Sequence, residues 1–194
     1  MKKKIVKKLT AAILMGCLMT TTVCVPVMAD SIVIEEPTEE SLKDMAAAIV
    51  KKQVKSADSK KTKLSKLFKY TEKTYGYART TSFSNKKGWE KTYAKKMFKD
   101  KKGSCYHFAA AYGFLAKQAT GYPVRICVGQ TKGFSGKWQP HAWTEVKIGT
   151  KWYICDTNMD KFAAKSSGKY YLKSKTSSAM KAVYKAGSYV TVKF

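Results

Sequence analysis

Arginine is nearly absent from this chain. Of its 38 basic residues only Arg79 and Arg125 are arginines, and the others are lysines. Proteins that read nucleic-acid sequence rely on the flat, forked guanidinium group for paired hydrogen bonds to bases and phosphates. The composition therefore argues against specific nucleic-acid binding, in spite of a formal net charge of +25. A solvated coat of lysine side chains accounts for the charge.

Patterns that bind metal ions are lacking as well. The chain has five cysteines and two histidines, but no two cysteines form a C-x-x-C pair. A zinc site would have to gather its ligands from scattered elements, which argues against it. Those ligands would be Cys105, His107, Cys127, His141 and Cys155. No run of alternating acids resembles a calcium loop, so we predict no metal and no other cofactor.

The first 29 residues have the pattern of an export signal. Five lysines among the first eight residues precede an uncharged stretch that ends in Val27-Met28-Ala29, a small-x-small cleavage site. We therefore predict a signal peptide over 1–29 and a secreted, extracellular protein that associates with the cell wall. Two alternatives stay open: an uncleaved membrane anchor over 9–28, and a lipoprotein signal whose acylated residue is Cys17.

The exported chain is strongly basic. Removal of residues 1–29 leaves 165 residues, which suit one compact domain, and a net charge of +20. Such a charge favours polyanionic surroundings, such as an anionic wall polymer, a lipid surface or an acidic protein. We expect contact with an anionic cell-wall polymer through the lysines, no membrane contact except through an uncleaved signal, and a monomer.

Helical spacing of apolar residues predicts four helices, over 41–54, 64–75, 89–97 and 104–119. Residues 55–63 are interpreted as a linker, so that 30–63 forms an N-terminal helix and linker and 64–194 forms the main domain. The helix over 104–119 is apolar on nearly every side. A helix with that pattern is expected at the centre of the core.

The second half of the chain alternates as strands do. Strands are predicted over 122–129, 141–148 and 151–156, followed by a short strand over 169–174. A helix over 177–187, ended by Gly187, and a last strand over 188–194 complete the prediction. This order indicates the α+β class, with a central buried helix packed on an antiparallel sheet.

A tight hairpin is predicted between the strands over 141–148 and 151–156. Gly149-Thr150 suits a type II′ turn, which requires glycine at its first central position and pairs Ile148 with Lys151. Since side chains alternate along a strand, this register puts His141 and Asp156 diagonally on one face of the sheet. The two side chains are then within reach of a hydrogen bond.

Cys105 is the strongest candidate for a nucleophile. It follows a Gly-Ser turn and begins the apolar helix, where unpaired N–H groups and the helix macrodipole favour a thiolate. The alternative is a small buried hydrophobic residue, which is how most free cysteines behave.

Two histidines and two aspartates compete for the supporting roles. His107 lies two residues after Cys105 and projects to another side of the helix, whereas His141 comes from a different element. We therefore predict His141 as the base and interpret His107 as a helical histidine or a supporting hydrogen-bond partner. Asp156 is predicted to orient His141, with Asp160 as a rival and an ordinary turn at 156 as the alternative.

Three cysteines remain after export, which suggests one disulfide and one free thiol. The candidate pair is Cys127 and Cys155. If the strand over 141–148 lies between them, they are about 9 to 10 Å apart, two strand spacings, which a disulfide does not reach. We predict that both are buried free thiols.

Four spaced motifs resemble the transglutaminase-like superfamily: G-x-C before an Ala-rich helix, G-Y-P-V-R, H-A-W-T-E-V and W-Y-I-C-D. The resemblance covers roughly residues 64–160 and implies a papain-like fold, with 64–194 as the catalytic domain. It further implies Cys105 as nucleophile, His141 as base and Asp156 as orienter. A protein or peptide substrate and acyl transfer through a thioester also follow from the resemblance.

The resemblance covers both hydrolases and cross-linking transferases. We favour hydrolysis of peptide or amide bonds, because nothing in the chain resembles a calcium switch or a tunnel for an amine acceptor. The alternatives are a protein cross-linking transglutaminase and a non-catalytic, basic cell-wall binding module with a tyrosine-rich end. The backbone N–H of Cys105 is the expected oxyanion donor, and Trp89 is a weak candidate for a second.

Overall fold

The computed structural model describes residues 41–80 and 82–194. The predicted signal peptide over 1–29 and its two alternatives therefore lie outside the described residues. In the described part of the chain, no helix combines the length and apolar character needed to cross a bilayer.

Six helices and seven strands make up these two described ranges. In chain order they are α1 (Leu42–Gln53), α2 (Lys60–Thr74), β1 (Gly76–Tyr77), α3 (Trp89–Asp100), β2 (Lys102–Gly103), α4 (Cys105–Thr120), β3 (Val124–Thr131), β4 (Gln139–Ile148), β5 (Lys151–Cys155), α5 (Thr157–Phe162), β6 (Lys173–Ser174), α6 (Ser178–Val183) and β7 (Tyr184–Thr191). The mixture of helices and antiparallel sheet is the predicted α+β class.

The predicted helices form with small shifts at their ends. Helices α1 and α4 occupy the predicted ranges to within a residue. Helix α2 begins at Lys60, inside the predicted linker, because the Ser59 hydroxyl accepts the N–H of Thr62 and caps the helix there. Helix α3 continues to Asp100 and ends where Lys101 adopts a left-handed φ of 58°.

The main sheet has the strand order β6-β5-β4-β3-β7, and every neighbouring pair is antiparallel. Strand β4 therefore lies between β3 and β5, as predicted. The β4–β5 hairpin pairs Ile148 with Lys151. Gly149 has a φ of 59°, as the first central residue of a type II′ turn requires. The predicted register is confirmed.

The last part of the chain departs from the prediction. Only residues 173–174 of the predicted strand over 169–174 pair in the sheet, because the Asp160 carboxylate accepts the N–H groups of Gly168 and Tyr170 and holds that segment in a loop. The helix predicted over 177–187 ends at Val183. Residues 184–187 instead begin β7, and residues 184–186 pair with the open edge of β3 at residues 129–131.

Helix α4 forms the centre of the core and packs against β3 and β4. Its side chains are buried continuously from Phe108 to Ala116, as its apolar sequence predicts. Cys155 belongs to the cluster on the α4 side of the sheet, whereas Cys127 belongs to the cluster on the opposite side. Both are free and buried, so the prediction of two buried free thiols is confirmed.

Candidate active site

Cys105 is the first residue of α4, and 9% of its surface is exposed. The preceding residue, Ser104, donates its backbone N–H to Nδ1 of His107 (3.2 Å), and its hydroxyl also contacts that nitrogen (3.1 Å). His107 is therefore the supporting partner that holds the start of the helix, one of the two roles considered for it. A side chain at Gly103 would come within 2.4 Å of the His107 ring, so this turn requires glycine.

The His107 ring is not a cation that could stabilise a thiolate at Cys105. Burial, together with the charge of Lys96, lowers the pKa of His107 to about 4. The ring is therefore neutral at pH 7, and its Nδ1 atom can accept the hydrogen bond from Ser104.

His141 and Asp156 form a buried pair. His141 extends from β4, and Asp156 follows β5 directly, so the hairpin register brings the two side chains together. Nε2 of His141 lies 2.7 Å from Oδ2 of Asp156, and the two residues are 1% and 2% exposed. Because a carboxylate only accepts hydrogen bonds, Nε2 carries the proton of this contact.

The Asp156 carboxylate is held by two further donors. The Tyr184 hydroxyl donates to Oδ2 at 2.8 Å, and the backbone N–H of Met159 donates to Oδ1 at 2.9 Å. The second bond makes Asp156 the N-cap of α5. One carboxylate thus orients the imidazole and begins a helix, so its position is fixed from both sides.

The Cys105 thiol is the other partner of the His141 ring. Burial lowers the pKa of His141, but the Asp156 carboxylate and the hydrogen bond and charge of Cys105 outweigh burial and raise this pKa to about 10. Since Nε2 is bound to Asp156, Nδ1 is the nitrogen that remains for the sulfur. A protonated imidazole at neutral pH stabilises a thiolate beside it.

A cleft of about 960 Å³ opens over Cys105 and His141. Five Phe and Tyr residues line it: Tyr77, Phe83, Tyr106, Phe134 and Phe162. The ring of Phe134 meets that of His141 edge-on at 5.6 Å. Arg79 and Asn158 also line the cleft. The site is thus concave, mainly apolar and supplied with a few polar groups, as small-molecule and peptide sites generally are.

The other residues singled out in the sequence lie elsewhere. Trp89, the candidate for a second oxyanion donor, is buried among Phe83, Tyr93 and Tyr106 and is not one of the cleft-lining residues. Asp160, the rival orienter, accepts backbone N–H groups of the loop that follows α5.

Sequence reasoning missed two residues of this site. Tyr184 falls inside a region predicted as helix, so its contact with Asp156 could not be anticipated. Asn158 lies in α5, which was not predicted as a helix at all. The available signal was the position of Asp156, since aspartate is a preferred N-cap and suggests a helix immediately after it.

Glu72, a buried residue of α2, contacts the side chain of Asp160. Burial and the hydrogen bond and charge of Asp160 raise the pKa of Glu72 to about 8, against weaker lowering contacts with Ser166 and Lys161. Glu72 is therefore protonated at neutral pH and donates its proton to Asp160.

The Glu72→Gln variant is expected to be more stable than the wild type at pH 8. In the unfolded wild type, Glu72 ionises above its ordinary pKa of 4.5. In the folded protein its pKa is about 8, so the side chain keeps its proton up to about that pH. The free energy of unfolding of the wild type therefore falls over that interval, by about 1.4 kcal/mol for each unit of the pKa difference. Urea unfolding at about pH 5 and pH 8 measures the effect.

The matched control is Asp100→Asn, which removes a carboxylate that is exposed at the end of α3. The free energy of unfolding of this variant should change between the two pH values as that of the wild type does. If the free energy of unfolding of Glu72→Gln has the same pH dependence as that of the wild type, burial and the contact with Asp160 do not raise the pKa of Glu72.

Comparison with known proteins identifies the family. Residues 47–157, more than half of the chain, match the sequence profile of the transglutaminase-like superfamily. A comparison with curated proteins finds no match. Among solved structures, the chain is similar to a candidate cysteine protease from Cytophaga hutchinsonii, with 18% identity and a TM-score of 0.49. That similarity covers 78% of this chain and 49% of the other, so this chain spans about half the length of the structure it matches.

The matched region contains all three predicted site residues and the helix and hairpin that carry them. The family match supports a cysteine-dependent enzyme and does not specify the reaction. With its mixed helices and antiparallel sheet, the chain has a papain-like α+β fold and belongs to the transglutaminase-like superfamily.

Proposed function

We propose that the protein is a secreted enzyme that transfers acyl groups from peptide or amide bonds through a thioester on Cys105, with water as the favoured acceptor. One observation carries the proposal: a thiol at the start of α4 and an imidazole bound to Asp156 meet at the wall of a single cleft. A nucleophile, a base and an orienting acid in that order form the arrangement that cysteine acyl transfer needs.

The first half of the reaction forms the thioester. The Cys105 thiolate attacks the carbonyl carbon of the amide, and the oxygen becomes an oxyanion that the backbone N–H of Cys105, at the first position of α4, can bind. As the intermediate collapses, the C–N bond breaks and the His141 imidazolium gives its proton to the leaving amine. The products of this half are a free amine, a thioester and a neutral imidazole.

The second half returns the enzyme to its starting state. The neutral His141 takes a proton from water, the resulting hydroxide attacks the thioester carbonyl, and the C–S bond breaks. A carboxylic acid leaves, and the thiolate and imidazolium are restored. An amine in place of water would give a cross-linked amide by the same steps, which is the alternative outcome.

The setting of the enzyme is also part of the proposal. The signal pattern over 1–29 supports export, and the lysines of the exported chain support contact with an anionic cell-wall polymer. A large positive field would concentrate the enzyme where that polymer is found. The site itself requires none of these lysines, since the ionisable residues of the cleft are Tyr77, Arg79, Cys105, Tyr106 and His141.

Trapping of the thioester tests the proposal directly. Wild-type protein and the Cys105→Ala variant are incubated with pools of wall-derived peptides and of protein substrates, quenched in acid and measured by intact mass. We expect an acyl adduct on the wild type alone, removed by hydroxylamine. In water enriched in oxygen-18, hydrolysis places one heavy oxygen in the new carboxyl group, whereas transfer places none.

An adduct that also forms on Cys105→Ala would contradict the assignment of the nucleophile. Absence of any adduct together with salt-sensitive binding to anionic polymers would favour the non-catalytic wall-binding module.

A further inference from the structure

Asn158 is a polar group of the cleft that the acyl-transfer steps leave unused. Its side chain is 2% exposed, and Nδ2 has no hydrogen-bond partner within residues 41–80 and 82–194. The same residue lines the cleft together with Cys105 and His141. An unpaired buried N–H costs about 1–3 kcal/mol, so a group of this kind is expected to find its partner in whatever enters the cleft.

The backbone holds Asn158 in a fixed place relative to the imidazole. Asn158 is the second residue of α5, and the helix begins at Asp156, whose Oδ1 accepts the N–H of Met159 at 2.9 Å. The other oxygen of the same carboxylate binds His141. Because Met159 is fully buried, α5 cannot rotate without disrupting the core, and Asn158 keeps its place in the wall of the cleft that Cys105 and His141 also line.

The rest of the cleft indicates what the amide would bind. The Ser104 hydroxyl, also on the cleft wall, is already in contact with His107. The other polar groups of the wall are Arg79, Thr80 and Gln139. The five aromatic rings beside them favour an apolar side chain. A carboxamide can donate from nitrogen and accept at oxygen, which are the two bonds that a peptide group offers in return.

We infer that Asn158 is a substrate-binding residue whose carboxamide hydrogen-bonds a backbone peptide group of the acyl donor, while an apolar side chain of that donor packs among the aromatic residues. The inference rests on the proposed function, and it narrows the substrate class to peptides with an apolar residue next to the bond that reacts. Asn158 would then contribute to affinity and orientation, whereas Cys105 and His141 perform the chemistry.

Binding to a chemically inactive protein tests the inference. All proteins carry Cys105→Ala, and the variants add either Asn158→Leu, which keeps the size and removes the amide, or Asn85→Leu. Asn85 is the only other asparagine of the chain and is exposed, so it is the matched control. The ligands are N-acetylphenylalanine methylamide, which has peptide groups, and 3-phenylpropan-1-ol, which has the ring alone, and NMR titration gives the dissociation constants.

We expect Asn158→Leu to weaken binding of the methylamide roughly five- to tenfold, the value of one hydrogen bond, and to leave phenylpropanol unchanged. Asn158→Ala, which cannot overpack the site, should show the same selectivity. Unchanged affinity for the methylamide, an equal loss for both ligands, or no binding of either ligand would overturn the inference. Binding with the expected selectivity but no thioester on Cys105 would contradict the proposed function alone.

Discussion

The His141→Gln variant is expected to react with iodoacetamide at pH 7 about 100-fold more slowly than the wild type, the lower range of what a positioned acid–base group contributes. Burial lowers the pKa of His141, but Asp156 and Cys105 raise it to about 10, so a cation lies beside the thiol at neutral pH. Glutamine fills a similar volume without charge and leaves the sulfur without its ion pair. Intact mass against time gives the rate.

Two further variants make this measurement specific. Cys105→Ala corrects for labelling of Cys127 and Cys155, which are both buried. His107→Gln changes the other histidine in the same way, and glutamine at that position can still bond back to the Ser104 N–H as part of a capping box. Its rate should stay within about threefold of the wild type. An equal loss in both histidine variants would show that the cation of His141 is not what activates the thiol.

The Asp156→Asn variant is expected to lose about 10,000-fold in thioester formation, in line with the effect of a reversed histidine tautomer in other triads. The new amide would present N–H groups to a ring nitrogen that now donates to Asp156 Oδ2 at 2.7 Å. To accept from them, the ring must move its proton to Nδ1, which faces the thiol. The base is then blocked on the side where it is needed.

The same substitution has a distinct signature in stability. The folded pKa of His141, about 10, lies above its ordinary value of 6.5, so the ion pair stabilises the wild type fully below pH 6.5 and is lost as pH rises through 10. The free energy of unfolding of Asp156→Asn should therefore fall furthest below the wild type near pH 6.5, and the difference should narrow towards pH 10. Chemical denaturation across this range measures it.

Asp160→Asn is the matched control for Asp156→Asn. Asp160 accepts the N–H groups of Gly168 and Tyr170, so this variant should be less stable but, where folded, should form the thioester within about fivefold of the wild-type rate, as expected for a change outside the reacting groups. If Asp160→Asn loses activity as severely as Asp156→Asn, or if Asp156→Asn stays active, Asp156 is not the residue that orients the base.

Much of the site could be predicted because its geometry is encoded locally. Cys105 at a helix start follows from a Gly-Ser turn before an apolar run, and the pairing of His141 with Asp156 follows from the two residues of the hairpin turn. A turn of fixed length sets the register of both strands, and the register sets which side chains share a face. These are short-range effects, and short-range effects can be inferred from sequence.

The end of the chain could not be predicted in this way. Residues 184–187 favour a helix by local pattern, yet they form a strand because the edge of β3 lies beside them and offers backbone hydrogen bonds. The site is affected directly, since Tyr184 reaches the Asp156 carboxylate only from that strand. A contact over 28 positions of sequence has no periodic signal.

The sequence by itself determined the position of Cys105 at a helix start, the central helix and the hairpin register, because each depends on residues close to one another along the chain. Only the tertiary structure decided which groups surround them: Tyr184 on Asp156, His107 beneath the start of α4, Glu72 against Asp160, and Asn158 on the cleft wall. No local sequence pattern relates the elements that carry these partners, and only the packing of the whole core brings them together.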